Sequence, residues 1–518
     1  MSSLQRSHEL RLRDVLLRCV NLYGADTAVV FGEERITWSE LARRAFRVAN
    51  QLRAEGVARG DRVAVLQSNG TELLELGFAC ALVGAVMVPM SSRLVADEVA
   101  YVLGDAKPVL AFIEPTHPGA AVETDVRVLP TRNAAFADFR DAGSDDEPPE
   151  VEEAGDGVLQ LYTSGTTGRP KGAVHSQRTM IQNGLTVLLG QDTDHRDAFL
   201  STTPLTHAAS GTRIFSLALD GLKHVIMESF TVPGFFELVA RERVTHTILV
   251  PVMLADVVDS PLLETADLSS MRFIVYGAAP TPEALVARAI EKLPCGLFQG
   301  YGLTEGSPAL TAFTPDEHRR FAADPALRRR LRSMGRVVPG VRARIVGDDG
   351  VEVAVGEPGE LQVRSTKTMV GYWNSPQLTA GAFTDDGWLA TGDVAEIDED
   401  GYLYLVDRKK DMLISGGFNV YPSEIERVLR THAGVQETSV VGVAHERWGE
   451  VPVAFVALTD GAAADVVVDE LRALCRDQLS GYKQPKEIRV VDALPRNETG
   501  KIHKPTLRSW AADPEVVA

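Results

Sequence analysis

The feature of this sequence that most constrains its fold is an alternation of short apolar runs with amphipathic stretches. Runs that predict strands lie at residues 62–67, 86–89, 109–113, 223–227, 247–250 and 271–276. Helical periodicity occupies residues 41–55, 177–189 and 235–243 and begins again near residue 282. Strands that alternate with helices in this way form buried, parallel-rich sheets flanked by helices. We therefore expect an α/β fold for the larger part of the chain.

Two changes of pattern divide the rest of the chain. Residues 340–406 contain short strands separated by Asp-Gly turns, which predicts a β-rich subdomain. Residues 410–518 mix predicted helices with predicted strands, which is typical of a small α+β domain. We place the boundary at Arg408 to Lys410, so the predicted domains are residues 1–409 and 410–518. A chain of 518 residues is long enough for both.

Charge and cysteine content narrow the class of partners. The formal net charge of −18 disfavours nonspecific binding to nucleic acid or to an anionic membrane surface. The 4 cysteines are far apart and lack metal-site spacing, which is typical of reduced thiols. The first residues contain no apolar signal core, and the apolar stretch at 77–90 is too short to cross a bilayer. We expect a cytoplasmic protein that binds neither nucleic acid nor membranes.

The segment from Tyr162 to Gly172 predicts a phosphate-binding loop. It follows an apolar, strand-like run and contains Thr163, Ser164, Gly165, Thr166, Thr167, Gly168 and Lys171. Glycines let backbone N–H groups converge on phosphate oxygens, hydroxyls add donors, and the lysine adds a positive charge. A loop of this kind after a strand is a common site for a nucleotide phosphate. Taken alone, the segment could also be a flexible linker.

Four later segments carry side chains suited to the rest of a nucleotide. They are Gln299-Gly300-Tyr301-Gly302-Leu303-Thr304-Glu305, Thr391-Gly392-Asp393, residues 407–422 and residues 495–501. An aromatic ring between glycines suits a planar base, a threonine hydroxyl suits a phosphate, and a glutamate suits Mg²⁺. Each segment alone could be a turn, a hairpin tip, a solvated charge run or a helix cap. Those alternatives do not explain why all four segments occur together in this order.

In these segments the chain resembles the adenylate-forming superfamily, which contains acyl- and aryl-CoA synthetases, adenylation domains of peptide synthetases and firefly luciferases. The resemblance extends from about residue 16 to about residue 507. It implies a large N-terminal domain, a small mobile C-terminal domain with a catalytic lysine, and a reaction in two steps. A carboxylate attacks the α-phosphate of ATP to give an acyl-adenylate and pyrophosphate, and a thiol, most often that of CoA, then displaces AMP. ATP, Mg²⁺ and CoA are the implied cofactors.

The resemblance also implies roles for residues around the nucleotide. Glu305 would bind Mg²⁺, Thr304 would contact the phosphates, and Lys501 would bridge the carboxylate and the α-phosphate. Asp393 would bind the ribose hydroxyls with the help of Arg408. The remaining nucleotide contacts would come from the phosphate loop and from Gly277, Ala278, Ala279, Gln299, Gly300, Tyr301 and Gly302.

Further implied roles concern the acid, CoA and a hinge. The acid pocket would be lined by His207, Ala208, Ala209, Gly211, Met253, Gly300, Pro308 and Ala309, whose small residues favour an aromatic, cyclic or branched acid. CoA would contact Ser415, Gly416, Gly417, Trp448, Tyr482 and Lys483. The C-terminal domain would swing about Lys410. Trp448 could equally be a core residue, and Arg213 could pair with a second carboxylate or polar tail or serve a structural role.

The leading interpretation is a free-standing acid–CoA ligase whose partners are a carboxylic acid, ATP and CoA. The first alternative keeps the adenylation chemistry but transfers the acyl group to a carrier protein, an amine or another nucleophile. The second is a non-catalytic nucleotide-binding protein, which the presence of Lys501 argues against because binding alone would not require it. A homodimer and a separate carrier protein remain open as partners.

Overall fold

The computed structural model describes residues 9–151, 157–163, 169–279, 281–416, 418–496 and 501–512. The chain divides into two compact units, residues 1–343 with 363–390, and residues 344–362 with 391–518. The predicted β-rich segment is thereby shared between the units. The pivot predicted at Lys410 lies within the second unit and stays a prediction.

The helices and strands follow the predicted alternation. Within the described residues the α-helices are α1 (Leu12–Tyr23), α2 (Trp38–Ala54), α3 (Glu72–Val83), α4 (Ala96–Ala106), α5 (Ala134–Asp141), α6 (Gln177–Gln191), α7 (Ala208–Gly211), α8 (Arg213–Ser216), α9 (Val232–Glu242), α10 (Pro251–Val258), α11 (Glu283–Lys292), α12 (Pro315–Ala323), α13 (Pro376–Ala382), α14 (Pro422–Leu429), α15 (Ala464–Gln478) and α16 (Lys504–Ala512). Short 3₁₀ turns occupy Pro118–Ala121, Leu217–Leu219, Pro261–Glu264, Thr304–Gly306 and Arg328–Arg332.

The strands in the same described residues are β1 (Thr27–Phe31), β2 (Glu34–Thr37), β3 (Arg62–Leu66), β4 (Val86–Met90), β5 (Leu110–Ile113), β6 (Arg127–Pro130), β7 (Gly157–Thr163), β8 (Lys171–Ser176), β9 (Ala198–Ser201), β10 (Lys223–Ile226), β11 (His246–Leu249), β12 (Phe273–Gly277), β13 (Gly296–Leu303), β14 (Ser307–Phe313), β15 (Arg336–Val337), β16 (Val341–Val346), β17 (Gly359–Ser365), β18 (Gly371–Tyr372), β19 (Leu389–Ile397), β20 (Leu403–Arg408), β21 (Leu413–Ser415), β22 (Phe418–Val420), β23 (Val435–His445), β24 (Gly449–Leu458) and β25 (Glu487–Val490).

The first unit contains two large mixed sheets. Over the described residues, one sheet has nine strands in the order β15-β14-β13-β12-β11-β9-β10-β1-β2, and its strands from β13 to β1 are parallel. The other has seven strands in the order β18-β8-β7-β4-β3-β5-β6, and β7 to β6 are parallel. The antiparallel strands β14 and β8, each one place in from the edge of its sheet, carry residues of the predicted site. The α/β fold class is confirmed.

A helix that is buried along almost its whole length lies in the main hydrophobic core of the first unit. Every residue of α3 from Leu73 to Val83 is buried, as expected of a helix enclosed by other elements. The helix ends at Gly84, which has a φ of 75° that glycine adopts without strain. The surrounding core includes Val29 of the nine-stranded sheet and Val63 of the seven-stranded sheet. One core therefore fixes both sheets of this unit.

Side-chain caps set the start of several helices. Thr37, Ser176 and Thr231 each accept a hydrogen bond from the backbone N–H three residues later. The cap at Thr37 begins α2 at Trp38, three residues before the start that the periodicity suggests. None of the described helices is long and apolar enough to cross a bilayer.

The second unit is built on smaller sheets. In the described part of the chain, β16, β17, β19 and β20 form a four-stranded sheet, most of which belongs to this unit. A five-stranded sheet has the order β22-β21-β24-β23, with β25 paired to β24. Helices α14 and α15 cover one face of this sheet, where Ile425, Leu429 and Leu471 are buried. This arrangement agrees with the α+β character predicted for the C-terminal residues.

Candidate active site

Two antiparallel strands hold the ends of the predicted phosphate loop. Thr163 is the last residue of β7 and pairs with Lys171, the first residue of β8. The Lys171 ammonium lies 5.3 Å from the ring centroid of Tyr372. The loop residues Ser164, Gly165, Thr166, Thr167 and Gly168 lie outside the described residues. The strand pair thus fixes a hydroxyl and a cation at the two ends of the loop.

The Glu305 carboxylate lies beside this loop. Its Oε1 accepts a hydrogen bond of 2.7 Å from the Tyr372 hydroxyl and lies 3.5 Å from Thr163 Oγ1. The Glu305 carbonyl accepts a hydrogen bond of 2.7 Å from Met369 N. Burial and then the Glu305 charge raise the pKa of Tyr372, so its phenol stays protonated and remains a donor at neutral pH.

The position of Glu305 fits a Mg²⁺ ion that is shared with a nucleotide. Such ions are held by one or two carboxylates, while phosphate oxygens and waters complete the coordination. No group of three or more metal-binding side chains occurs among the residues that the structure describes. A single carboxylate 3.5 Å from the first hydroxyl of the loop therefore suits a metal that enters with ATP.

A buried histidine supports the turn that carries Thr304 and Glu305. His175, on β8, is 1% exposed and forms a hydrogen bond with the backbone of Thr304. Burial lowers the pKa of His175 to about 4, although the hydrogen bond opposes the shift. The imidazole is therefore neutral at pH 7, and it connects the turn to the strand that carries Lys171.

The residues predicted to frame adenine lie at the end of β12 and on β13. Gly277 pairs with Gly300, and a Cβ at Gly277 would lie 2.4 Å from the Gly300 carbonyl oxygen. Only glycine allows this close approach. Ala278 has a φ of 63°, a left-handed conformation that is uncommon for alanine and is often found at ligand sites. The predicted contacts Ala279, Gln299, Tyr301 and Gly302 adjoin these strand ends.

Most of the predicted acid-pocket residues come from two elements in contact. His207, Ala208 and Ala209 are half-buried at the start of α7, and α7 contacts β14. Pro308 and Ala309 are half-buried residues of β14. A Cβ at Gly300 would meet its nearest protein atom only at 4.0 Å, so this glycine adjoins open space. The arrangement leaves room for a ligand beside the nucleotide frame.

Two other predicted pocket residues have different surroundings. Gly211 is buried, and a Cβ there would lie 2.6 Å from the Leu205 carbonyl oxygen, so a close backbone approach accounts for this glycine. Met253 packs against the core on the opposite face of the nine-stranded sheet, with Leu254. Their roles in the pocket stay predictions.

A buried lysine supports the wall formed by β14. Lys367 is 1% exposed, and its ammonium donates a hydrogen bond to the Ala309 carbonyl. The Lys367 carbonyl accepts a hydrogen bond of 2.7 Å from Ser307 Oγ. Burial lowers the pKa of Lys367 to about 7. This lysine therefore holds both ends of the short segment from Ser307 to Ala309.

In the second unit, the predicted ribose-binding residues form an ion pair. Asp393 and Arg408 are direct partners in β19 and β20, and Arg408 Nε lies 2.6 Å from Asp393 Oδ1. Asp393 is buried, whereas Arg408 and Lys410 are exposed. The surrounding protein desolvates the Lys501 ammonium, although the residue keeps an exposed surface. This desolvation and then the charges of Arg408 and Lys410 lower the pKa of Lys501, and Asp393 opposes the shift.

The predicted CoA residues form two small groups in this unit. Gly416 N donates a hydrogen bond of 2.8 Å to the Trp448 carbonyl, and a Cβ at Gly416 would lie 3.0 Å from the indole. Trp448 is 40% exposed, so it is not a core residue here. Tyr482 stacks on Phe418 with ring centroids 4.8 Å apart.

The other predicted CoA residues are less open to a ligand. The Lys483 ammonium lies 2.7 Å from Glu424 Oε2, and Ser415 is buried. Gly417 lies outside the described residues. The CoA assignments therefore stay predictions.

Comparison with known proteins places this site in a family. Residues 17–373 match the model of the AMP-binding enzyme family, and residues 424–501 match the model of the AMP-binding enzyme C-terminal domain. The chain belongs to the AMP-binding enzyme family. It is 39% identical over 486 residues to a feruloyl-CoA synthase from Amycolatopsis sp, which covers 93% of this chain and 95% of the relative.

Solved structures of AMP-binding enzymes share the fold over the whole chain. ATP-bound MatB from Rhodopseudomonas palustris has a TM-score of 0.87 and 29% identity, with 97% of this chain and 99% of that chain covered. The amide bond synthetase McbA from Marinactinospora thermotolerans has a TM-score of 0.86 and 31% identity, with 96% and 99% covered. The chain is accordingly an AMP-forming ligase that activates a carboxylic acid with ATP and Mg²⁺ and transfers it to CoA.

Three residues at this site were not singled out from the sequence. Tyr372 and Lys367 reach the Glu305 turn and β14 because β18 pairs with β8 and the chain returns past the turn, whereas His175 lies on β8 itself. No local motif marks them. The one signal in the sequence was that Lys367 and Tyr372 lie close together in a segment otherwise rich in small and apolar residues.

Proposed function

We propose that this AMP-binding enzyme is a free-standing acid–thiol ligase of the acyl-CoA synthetase type, with an aromatic, cyclic or branched acid as substrate. The observation that carries the proposal is the cluster at the ends of the phosphate loop, where Thr163 and Tyr372 contact Glu305 and Lys171 lies over the Tyr372 ring. The identity to a feruloyl-CoA synthase and the small residues Ala208, Ala209 and Gly300 support the choice of acid.

The proposed chemistry requires neutralisation of charge rather than a protein nucleophile. A carboxylate and a triphosphate repel each other, so the site must bring cations and oriented donors to both. Thr163 and Lys171 would hold the pyrophosphate that departs, and Tyr372 would keep Glu305 oriented. Mg²⁺, when bound by Glu305, would neutralise phosphate charge. Asp393 with Arg408 would bind the ribose, and Lys501 would supply the cation at the reacting carboxylate.

Transfer to the thiol is proposed to use a second arrangement of the chain about Lys410. The pantetheine arm would then lie against Trp448, beside Gly416. The half-exposed indole of Trp448 supports this proposal, because it offers a flat apolar surface against which a thin ligand can pack.

A panel of carboxylic acids tests the proposal. Pyrophosphate release should depend on an aromatic or cyclic acid, and addition of CoA should yield the thioester and AMP. Pyrophosphate release that yields an amide with an added amine, and no thioester with CoA, would instead favour the activity named for McbA. Absence of pyrophosphate with every acid would refute the proposed ligase.

A further inference from the structure

Arg213, on α8, is a buried cation without an acidic partner among the described residues. It is 6% exposed, and its Nη1 lies 3.5 Å from Gln191 Oε1. Its guanidinium carbon lies 4.8 Å from the ring centroid of Phe199. Burial lowers the pKa of Arg213 to about 10. Because a buried guanidinium is costly unless an anion balances it, this residue needs a partner that the described chain does not supply.

The described neighbours of Arg213 include two histidines, and none of these neighbours is an acid that would balance its charge. The rings of His224 and His246 lie 5.9 and 5.3 Å from the Phe199 ring. His224 Nε2 is 2.7 Å from Ser201 Oγ, and His246 Nδ1 is 2.9 Å from Thr245 Oγ1. His246 Nε2 is buried without a hydrogen-bond partner in the described residues. Burial lowers the pKa of both histidines, so both are neutral at pH 7.

Two helical segments connect Arg213 to the proposed acid pocket. Residues 207–216 run through α7 and α8 with helical hydrogen bonds, such as Gly211 N to the His207 carbonyl and Ser216 N to the Thr212 carbonyl. Ala209 and Arg213 are one turn apart and lie on the same face of this segment. Ala209 is half-buried at the proposed pocket, and Arg213 is buried one turn deeper along the chain.

The nine-stranded sheet supplies a continuous floor between the two positions. His246 pairs with Phe273, and Gly277, four residues farther along β12, pairs with Gly300. Alternate strand residues share a face, so Phe273, Val275 and Gly277 line the same side of β12. Four residues of strand span about 13 Å, so Gly300 and His246 lie about 13 Å apart along the strand direction.

This face of the sheet is less completely covered than the opposite one. Ile248 and Val275 retain 9% and 8% exposure, whereas Leu249 and Ile274, their neighbours on the other face, are at 0%. Phe298, two residues before Gly300 and on the same face, retains 5%. Ile248, Val275 and Phe298 therefore keep a small surface that the body of an acid could contact, on the face of the sheet that leads from Gly300 toward Arg213.

We propose that Arg213 binds a second carboxylate at the far end of the acid substrate, and that the substrate is therefore an elongated dicarboxylic acid. The two carboxylates would be roughly 10–13 Å apart, the depth of the sheet face between Gly300 and His246. The apolar side chains of Ile248, Val275 and Phe298 would contact the body of the acid. This inference rests on the proposed function, since it names the substrate of the same site.

Matched pairs of acids test this proposal with the intact enzyme. 1,4-Phenylenediacrylic acid is compared with 4-methylcinnamic acid, and sebacic acid with decanoic acid, by kcat/KM for pyrophosphate release. The wild type should prefer the diacid of at least one pair by roughly 10–100-fold, the range typical of a hydrogen-bonded charge pair. A preference for the monoacid in both pairs would overturn the inference but leave the ligase proposal intact.

Variants connect the preference to Arg213. Arg213→Met should abolish or invert the preference, and Arg213→Lys should keep part of it. Arg196→Met is the matched control, because Arg196 is exposed and pairs with Asp194 at the surface. The control should leave the ratio unchanged, and an unchanged ratio in Arg213→Met would overturn the proposal.

Binding measured without turnover separates this proposal from the ligase proposal. The diacid alone should raise the melting temperature of the wild type and of Arg196→Met but not that of folded Arg213→Met. Equal stabilisation of all three proteins, or of none, would contradict a carboxylate site at Arg213. If Arg213→Met does not fold, Arg213→Lys and the two substrate pairs still decide the question.

Discussion

At the residue scale, the Glu305 carboxylate differs from an ordinary surface acid because its neighbours fix its direction. The Tyr372 hydroxyl donates to Oε1, and Thr163 Oγ1 lies at the limit of a hydrogen bond. A carboxylate held in this way has little freedom to turn from a bound metal, so its position and its charge can be tested separately.

We expect Glu305→Gln to raise the Mg²⁺ concentration needed for half-maximal pyrophosphate release, because a neutral amide is a poorer ligand for this ion. Tyr372→Phe keeps the charge and removes the orienting hydrogen bond. Its loss in kcat/KM should be about 10-fold to 100-fold, the range for a hydrogen bond to a charged group. Magnesium titrations of both variants measure the difference. An unchanged magnesium requirement in Glu305→Gln would remove this residue from the metal site.

Lys501→Ala should reduce adenylation by roughly 10²–10³, the usual loss for one charge-stabilising donor. Thioester formation from a supplied acyl-adenylate should fall far less, because the bond between the carboxylate and the α-phosphate has already formed in that compound. Single-turnover measurements of each half-reaction distinguish these effects. Equal losses in both would show that Lys501 acts on the fold or on both steps.

At the element scale, β14 depends on a lysine that local sequence does not explain. The Lys367 ammonium donates to the Ala309 carbonyl from a buried position, and Ser307 Oγ donates to the Lys367 carbonyl. Burial disfavours the charged ammonium, so Lys367 loses its proton at a lower pH in the folded protein than an exposed lysine does. The strand that forms one wall of the proposed acid pocket should therefore respond to pH.

Stability should rise with pH through this window. Burial lowers the pKa of Lys367 from its ordinary value of 10.5 to about 7 in the folded protein, so between these values the unfolded chain binds more protons. The free energy of unfolding of the wild type should then increase relative to that of Lys367→Met by at most about 1.4 kcal/mol per pH unit. Denaturant unfolding of both proteins from pH 7 to 9.5 measures this difference. Lys486→Met, at an exposed lysine, is the control, and parallel curves for wild type and Lys367→Met would contradict the prediction.

The positions of helices and strands could be predicted from the sequence far better than the contacts between them. The strands at β3, β4 and β10 and the helices α6 and α9 lie where periodicity placed them, because burial of an apolar face depends on local sequence. The sheet order and the β18–β8 pair depend on contacts between distant residues. For the same reason Glu305 and Asp393 could be chosen by motif, whereas Tyr372, His175 and Lys367 could not.

At the scale of the whole molecule, the prediction concerns a rotation about Lys410 between the adenylation step and the thioester-forming step. Lys410 lies in a short turn between β20 and β21. Lys409 N donates to the Gly392 carbonyl and Asp411 N to the Arg408 carbonyl, each at 2.9 Å. Over the described residues no backbone hydrogen bond leaves Lys410 N, so the chain can change direction here without breaking one.

A proline at this position should separate the two half-reactions. Lys410→Pro removes no backbone hydrogen bond seen in the described residues but fixes φ near −65° and restricts Lys409 as well. Pyrophosphate release in the first turnover should persist, because that step needs one arrangement of the chain. Thioester formation should slow by at least about tenfold, which corresponds to a barrier raised by about 1.4 kcal/mol. Lys410→Ala removes the side chain and keeps the rotation, so it should retain both steps. If Lys410→Pro and Lys410→Ala transfer the acyl group to CoA at the same rate, the pivot is elsewhere, and the second arrangement must arise from a different segment.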